Sequence, residues 1–179
     1  MLLVRSLLLL GLVVALVHPV WLGAGEDPVA ALALIRSDPP VAAEGFTIPT
    51  PTGGSIGLAQ YRGKVVFLNF WATWCPPCRE EMPGMQRLYE RFRDQGFAVL
   101  AVSIDADEAL VPPFLTEHRL TFPVGLDLTM EVADQYRVTA LPSTFLLDRK
   151  GRIVARALGP RQWDGPDGFA VIEQLLKQP

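Results

Sequence analysis

The amino-acid sequence predicts an α/β domain built on one central sheet of mixed pairing, with helices on its faces. Two runs, Lys64–Trp71 and Phe97–Ile104, are almost continuously apolar, as expected of central strands covered on both faces. Segments of helical pattern alternate with such strands. The chain then ends on two strands around the turn Asp148-Arg149-Lys150-Gly151, followed by a last helix. That order joins parallel crossovers to an antiparallel end.

Each element has a local reason. Phe46-Thr47-Ile48 and Ser55-Ile56-Gly57-Leu58 flank Pro49, Pro51 and Gly53-Gly54, which reads as a hairpin at the N-terminal side of the domain. Gln60–Gly63 turns into the first central strand. Pro76 to about Gln95 reads as a helix closed by Gly96. A helix around Pro113–His118 follows Pro112-Pro113, residues suited to a first turn. Phe122–Leu126 is short and extended, and Met130–Tyr136 is a short helix. Ser143–Leu147 and Ile153–Leu158 are strands, and Asp167–Lys177 is a final amphipathic helix with Asp164 or Asp167 as its N-cap.

Composition bounds the function. The chain has 179 residues, 16 Lys+Arg against 19 Asp+Glu, two Cys and two His. That length suits one domain with a real core. A formal net charge of -3, without a Lys/Arg cluster, gives no face for nucleic acid. Two cysteines are too few for a disulfide framework. A zinc site would need both Cys and both His together, and His18 lies far from the rest. His118 reads as a helix-end residue. No metal site is expected.

The mean hydropathy of +0.26 is high for a soluble domain, and the N-terminus accounts for the excess. Arg5 precedes the aliphatic run Leu7–Val17, and no formally charged residue occurs from Ser6 to Gly25. A basic residue before such a run marks the cytoplasmic side, so the rest of the chain is expected to be exported. Residues 1–25 read as either a cleaved signal peptide or an uncleaved anchor helix. Residues 26–43, with Pro28, Pro39 and Pro40, read as a tether carrying one short helix over Val29–Arg36. Residues 44–179 form the domain.

The chemistry sits in Phe70-Trp71-Ala72-Thr73-Trp74-Cys75-Pro76-Pro77-Cys78-Arg79-Glu80-Glu81-Met82-Pro83. A strand ends near Ala72 and a helix starts near Cys75, where Pro76 is tolerated. Cys75 is thereby placed at the helix N-terminus and Cys78 one turn further in, with the two sulfurs within disulfide reach. Free N–H groups and the helix dipole favour a thiolate at Cys75. Cys75 is expected to be the exposed nucleophile, and Cys78 the thiol that resolves the mixed disulfide. At 100° per residue Glu81 falls on the apolar stripe of Cys78, Met82, Met85, Leu88, Tyr89 and Phe92. A carboxylate there has a raised pKa and can exchange a proton during the reaction. A snorkelling surface glutamate is the other reading. Trp71, Phe67 and Phe145 read as core, whereas Trp74 shields the disulfide and offers a docking surface.

These residues resemble the thioredoxin superfamily, and within it the TlpA-like or ResA-like branch of extracytoplasmic thiol–disulfide oxidoreductases. The resemblance covers about Phe46–Leu176. It rests on Phe70–Cys78, on Pro83 in the active-site helix and on Ala140-Leu141-Pro142-Ser143-Thr144-Phe145-Leu146-Leu147-Asp148, which resembles the cis-proline strand. It implies a thioredoxin fold, a central mixed sheet flanked by helices, here with an N-terminal β-hairpin extension. Cys75, Cys78 and Glu81 are the implied catalytic residues, with Trp74, Pro76, Pro77, Leu141 and Pro142 around the substrate. Pro142 is the one residue of that stretch able to carry a cis bond. Asn69 departs from cytoplasmic thioredoxins, which place a titratable aspartate there.

The resemblance further implies no cofactor beyond the redox-active Cys75–Cys78 disulfide. It implies a periplasmic or otherwise extracytoplasmic monomer that reduces protein disulfides, in cytochrome c or copper-site maturation. A membrane thiol reductase would supply electrons, and the N-terminal segment would be the only membrane contact. The alternative is a copper chaperone holding metal through Cys75 and Cys78, but two-residue spacing and a single distant His118 suit it poorly. A peroxidase of the peroxiredoxin type needs a different motif around its cysteine, with a Thr and Pro upstream, and Trp74-Cys75-Pro76-Pro77-Cys78 lacks it.

Overall fold

The computed structural model describes residues 27–178. Its main sheet has six strands: β1 (Ile35–Ala42), β4 (Val65–Trp71), β5 (Phe97–Ser103), β6 (Val124–Leu126), β7 (Ser143–Leu147) and β8 (Arg152–Leu158), in the order β1-β8-β7-β4-β5-β6. β4–β5 and β5–β6 pair in parallel, whereas β4–β7, β7–β8 and β8–β1 pair antiparallel. Every residue of β4 and β5 is buried, as their unbroken apolar runs require of strands covered on both faces. β2 (Thr47–Pro49) and β3 (Ser55–Gly57) form the separate antiparallel hairpin.

Two apolar layers cover the sheet. One holds Met82, Met85 and Leu88 of α2 (Pro76–Phe92), Phe114 of α3 (Val111–Glu117) and Val171 and Ile172 of α5 (Pro166–Leu176), packed around Phe67, Trp71 and Trp163. The other holds Ile48 and Ile56 of the hairpin with Val132 and Ala133 of α4 (Glu131–Gln135), over Leu68, Phe70 and Phe145. α2 runs into a 3-10 turn over Arg93–Gln95, which Gly96, at φ +86°, closes in the left-handed conformation that glycine adopts freely. α5 is not capped by Asp164 or Asp167. Gly165 is its N-cap, Asp167 lies within its first turn and Asp164 is paired with Arg87 instead. Among the described residues no helix is long and apolar enough to cross a membrane. The segment read as a signal or anchor lies outside them.

The tether reading of residues 26–43 is corrected. α1 is only Pro28–Ala31, capped by the Asp27 carboxylate on the Val29 N–H. β1 then runs along the edge of the sheet, paired with β8. Val29, Leu32 and Leu34 enter the same core layer as α2 and α5. The misreading has a physical cause, since Pro39 and Pro40 fall in the irregular stretch between Arg36 and Val41. Proline on an edge strand costs no ladder hydrogen bond, so edge and linker look alike.

An integral β1 sets Leu34 and Val41 apart. Leu34→Ala is expected to lower unfolding stability by about 2–3 kcal/mol, whereas Val41→Ala, at a position 58% exposed, is expected to cost less than about 1 kcal/mol. Denaturant titration of the two variants checks this. A loose tether would make both neutral.

Candidate active site

The disulfide Cys75–Cys78 stands at the start of α2, with a Cα–Cα separation of 5.3 Å. The strand-to-helix turn places it there. The Cys75 N–H donates to the Ala72 carbonyl (3.2 Å), and the Cys75 carbonyl accepts from the Arg79 N–H (3.2 Å). Cys78 is fully buried and Cys75 is 4% exposed. The expected order of access is kept, but Cys75 is a nearly covered sulfur rather than an openly exposed one. Trp74 beside it is 63% exposed, so the flat apolar surface at the site is an indole.

Pro76 and Pro77 open the helix and carry no backbone N–H. In the first turn the donor left for the Cys75 sulfur is the Cys78 N–H, at 3.3 Å from Sγ. A helix N-terminus with several free N–H groups would hold a thiolate more strongly.

A residue missed in the sequence fixes the approach to Cys75. Asp105, just beyond β5, is 1% exposed. Its carboxylate accepts from the Thr73 N–H (3.0 and 3.2 Å), the Thr73 hydroxyl (2.6 Å) and the Ser103 hydroxyl (2.7 Å). The loop carrying Trp74 is thereby pinned to the end of β5. An acid two residues past an apolar strand was the only signal of it.

Leu141–Pro142 is a cis peptide bond, as the sequence led us to expect. Pro142 is buried and its carbonyl accepts from the Gly159 N–H (2.8 Å). Leu141 is half-buried against the core layer that contains Cys75 and Cys78. Among the described residues neither the Leu141 N–H nor its carbonyl has a partner, which leaves both for an extended peptide.

Glu81 is 4% exposed, so the snorkelling alternative falls away. Three elements meet at its carboxylate: α2 itself, β4 and the loop after β8. Oε1 accepts from Asn69 Nδ2 of β4 (2.9 Å), and Oε2 accepts from Trp163 Nε1 (3.0 Å) and the Arg161 backbone N–H (3.2 Å). The loop after β8 reaches this point because α2 has no side chain at Gly84, where a Cβ would lie 3.1 Å from the Asp164 carboxylate. Burial pushes the Glu81 carboxyl up to about 7, against the opposing pull of the donors from Trp163, Arg161 and Asn69. Proton exchange at Glu81 is therefore centred near neutrality.

Asn69 fits both protonation states of that neighbour. Its Nδ2 also donates to Thr144 Oγ1 of β7 (3.0 Å), while its Oδ1 is buried with no hydrogen-bond partner. A half-turn of the amide would present Oδ1 to a protonated Glu81 and to the Thr144 hydroxyl. The side chain cannot titrate, so the proton stays with Glu81.

His118 is the C-cap of α3, its ring 4.3 Å from that of Phe114. Among the described residues no group of three or more His, Cys, Asp or Glu is placed to hold a metal ion.

A thioredoxin-type sheet with a two-residue-spaced disulfide at a helix N-terminus, beside a cis-proline strand, defines a thiol–disulfide oxidoreductase. The chain belongs to the AhpC/TSA family, which matches residues 41–156, and within it to the ResA-like branch. It is 36% identical over 127 residues to the thiol-disulfide oxidoreductase ResA of a Bacillus cereus strain, covering 71% of this chain and 73% of that one. It is 36% identical over 158 residues to ResA of Bacillus subtilis (strain 168), covering 87% and 84%. Among solved structures, a thioredoxin-family thiol:disulfide interchange protein from Chlorobium tepidum TLS superposes with a TM-score of 0.69 at 26% identity. That match covers 76% of this chain and 97% of the other. The activity is thiol–disulfide exchange.

The raised Glu81 value has a consequence for stability. Its native value of about 7 lies above the ordinary 4.5, so the folded protein holds this proton more tightly than the unfolded chain. That contribution is complete below about pH 4.5 and is lost as pH rises through about 7. Between about pH 5 and pH 8 the wild type should lose stability on the order of 3 kcal/mol relative to Glu81→Gln, whose amide stands in for the protonated acid. Urea unfolding at both pH values measures it, and parallel pH trends for the two proteins would contradict the assignment.

Proposed function

We propose that this protein works as a disulfide reductase outside the cytoplasm, acting on protein disulfides, with maturation of cytochrome c or of copper sites as its setting. The observation that carries the reductive direction is the pair of prolines between the cysteines. With Pro76 and Pro77 in the first turn, the Cys75 sulfur receives one backbone donor, the Cys78 N–H. No histidine lies between the cysteines to add a charge. A thiolate that is stabilised less makes the dithiol a stronger reductant.

In the reduced protein the Cys75 thiolate attacks one sulfur of the substrate disulfide. A mixed disulfide forms and the other substrate sulfur leaves as a thiolate. Cys78 then gives its proton to Glu81, one helical turn away, and attacks the Cys75 sulfur. The Cys75–Cys78 disulfide forms and the second substrate sulfur leaves, so two electrons have passed to the substrate. Trp74, Pro76 and Pro77 offer the contact surface, and Leu141, before cis-Pro142, offers strand-like backbone pairing. The oxidised protein is returned to the dithiol by a membrane thiol reductase. The charge-free run Ser6–Gly25 behind Arg5 supports export, with the N-terminal segment as tether. The protein acts as a monomer without a further cofactor.

Two measurements test this reading. Redox titration is expected to place the midpoint nearer thioredoxin (about −270 mV) than the strong oxidants (about −120 mV). Cys78→Ser is expected to strand substrate on Cys75 as a mixed disulfide that mass spectrometry can identify. Trapping by Cys75→Ser in place of Cys78→Ser would reverse the two roles, and a midpoint close to the oxidants would end the reductase assignment.

A further inference from the structure

The loop between β8 and α5 meets the N-terminal segment through one side chain. Arg161 spends its whole guanidinium on backbone carbonyls. Nε donates to Leu32 O (2.6 Å) and Nη2 to Ala33 O (3.2 Å). Nη1 donates to Pro160 O (2.8 Å), Gly159 O (3.2 Å) and Leu158 O (3.2 Å). Among the described residues it forms no ion pair with a carboxylate. The acceptors at Leu32 and Ala33 are presented by a tight turn in which Ala33 has φ +49°, a left-handed conformation unfavourable for a residue with a Cβ. The Ala33 N–H closes that turn on Ala30 O (2.9 Å), and Leu32 and Leu34 on either side are buried in the core. On the other side of the same residue, the Arg161 backbone N–H donates to Glu81 Oε2.

We infer that Arg161 is a positioning residue for Glu81: the Leu32–Ala33 turn grips its guanidinium, and that grip holds its backbone N–H on the buried carboxylate. The segment at the N-terminal edge of the domain thereby sets the surroundings of the group that exchanges protons with the dithiol. The inference rests on that role of Glu81. A guanidinium suits the task because its planar fork reaches carbonyls on both sides at once, which an ammonium cannot do.

The other groups facing Glu81 do not duplicate this. Glu80 and Arg87 of α2 and Asp164 of the loop line the same recess. Arg87 is committed to Asp164 (2.6 Å), and β4 contributes the uncharged Asn69. When the grip opens, Oε2 keeps the indole N–H of Trp163 and loses the Arg161 N–H, so the charged carboxylate is favoured less.

The experiment follows the Glu81 side-chain carboxyl carbon by NMR against pH in the oxidised protein, with the resonance assigned by its loss in Glu81→Gln. Three variants are compared. Arg161→Ala removes grip and charge, Arg161→Lys keeps the charge, and Ala33→Pro breaks the turn at an exposed position remote from Glu81. All three are expected to raise the Glu81 midpoint by about half a pH unit or more, and the pH profile of dithiol exchange should move with it. If Arg161→Lys and Ala33→Pro keep the wild-type midpoint while Arg161→Ala shifts it, the effect is charge alone and the inference is wrong. Lowered thermal stability with unmoved midpoints in all three would make Arg161 merely structural and would equally overturn it. If the midpoints move but exchange rates ignore Glu81 altogether, the positioning stands and the proton-transfer role of Glu81 fails instead.

Discussion

A buried carboxylate with three protein donors is the constraint around which this molecule is arranged. Glu81 could not sit in an apolar layer alone, since the cost of an unsatisfied buried charge is several kcal/mol. The donors come from two parts of the chain. Asn69 lies in the centre of β4, Arg161 in the loop after β8 and Trp163 two residues further on. Satisfying the carboxylate therefore locks the active-site helix, the central strand and the approach to α5 into one geometry. The Asn69 contact to Thr144 extends that lock to the strand of the cis-proline. The strand that follows cis-Pro142 and the buried carboxylate are thus held by one hydrogen-bonded cluster.

The surroundings of the Cys75 sulfur are set by what is missing. A helix start usually offers several N–H groups to an anion. Here two prolines remove donors from the first turn, and the sulfur nearest solvent keeps the Cys78 N–H. The prolines suit the helix start sterically, because their fixed φ matches it. One choice of residues thus initiates the helix and limits the backbone donors offered to the sulfur. The same logic explains why a separate proton acceptor is useful. A wholly buried thiol, as Cys78 would provide, ionises poorly without a base, which is the need that the proposed role of Glu81 answers, one turn away with a value centred near neutrality.

How much of this could be read from the sequence depends on the range of the interaction. The strand, turn and helix around Cys75 are local, and so were legible from proline placement and apolar runs. The burial of Glu81 was legible too, because a 100° stripe needs only its own helix. Asp105, Arg161 and Trp163 were not, since each acts through bonds to residues about 30 to 130 positions away. Nothing in their neighbourhoods sets them apart from a turn acid, a loop arginine and a core indole. The N-terminal segment was misread for a different reason. An edge strand protected by proline and charge carries the composition of a linker, and only its pairing with β8 and the burial of Leu32 and Leu34 separate the two.

That pairing changes how the two ends of the domain relate to its chemistry. Val29, Leu32 and Leu34 lie in the same layer as Cys75, Cys78 and the α2 stripe, so the chain enters the domain on the face of the sheet that bears the dithiol. α1 rests against α5, and Arg161 joins its turn to the loop between β8 and α5. A tether would isolate the active site from whatever lies ahead of Asp27. A segment built into the core layer does the opposite: it packs in the layer that also holds Cys75 and Cys78. Through Arg161 the Leu32–Ala33 turn is hydrogen-bonded to the residue whose backbone N–H meets the Glu81 carboxylate.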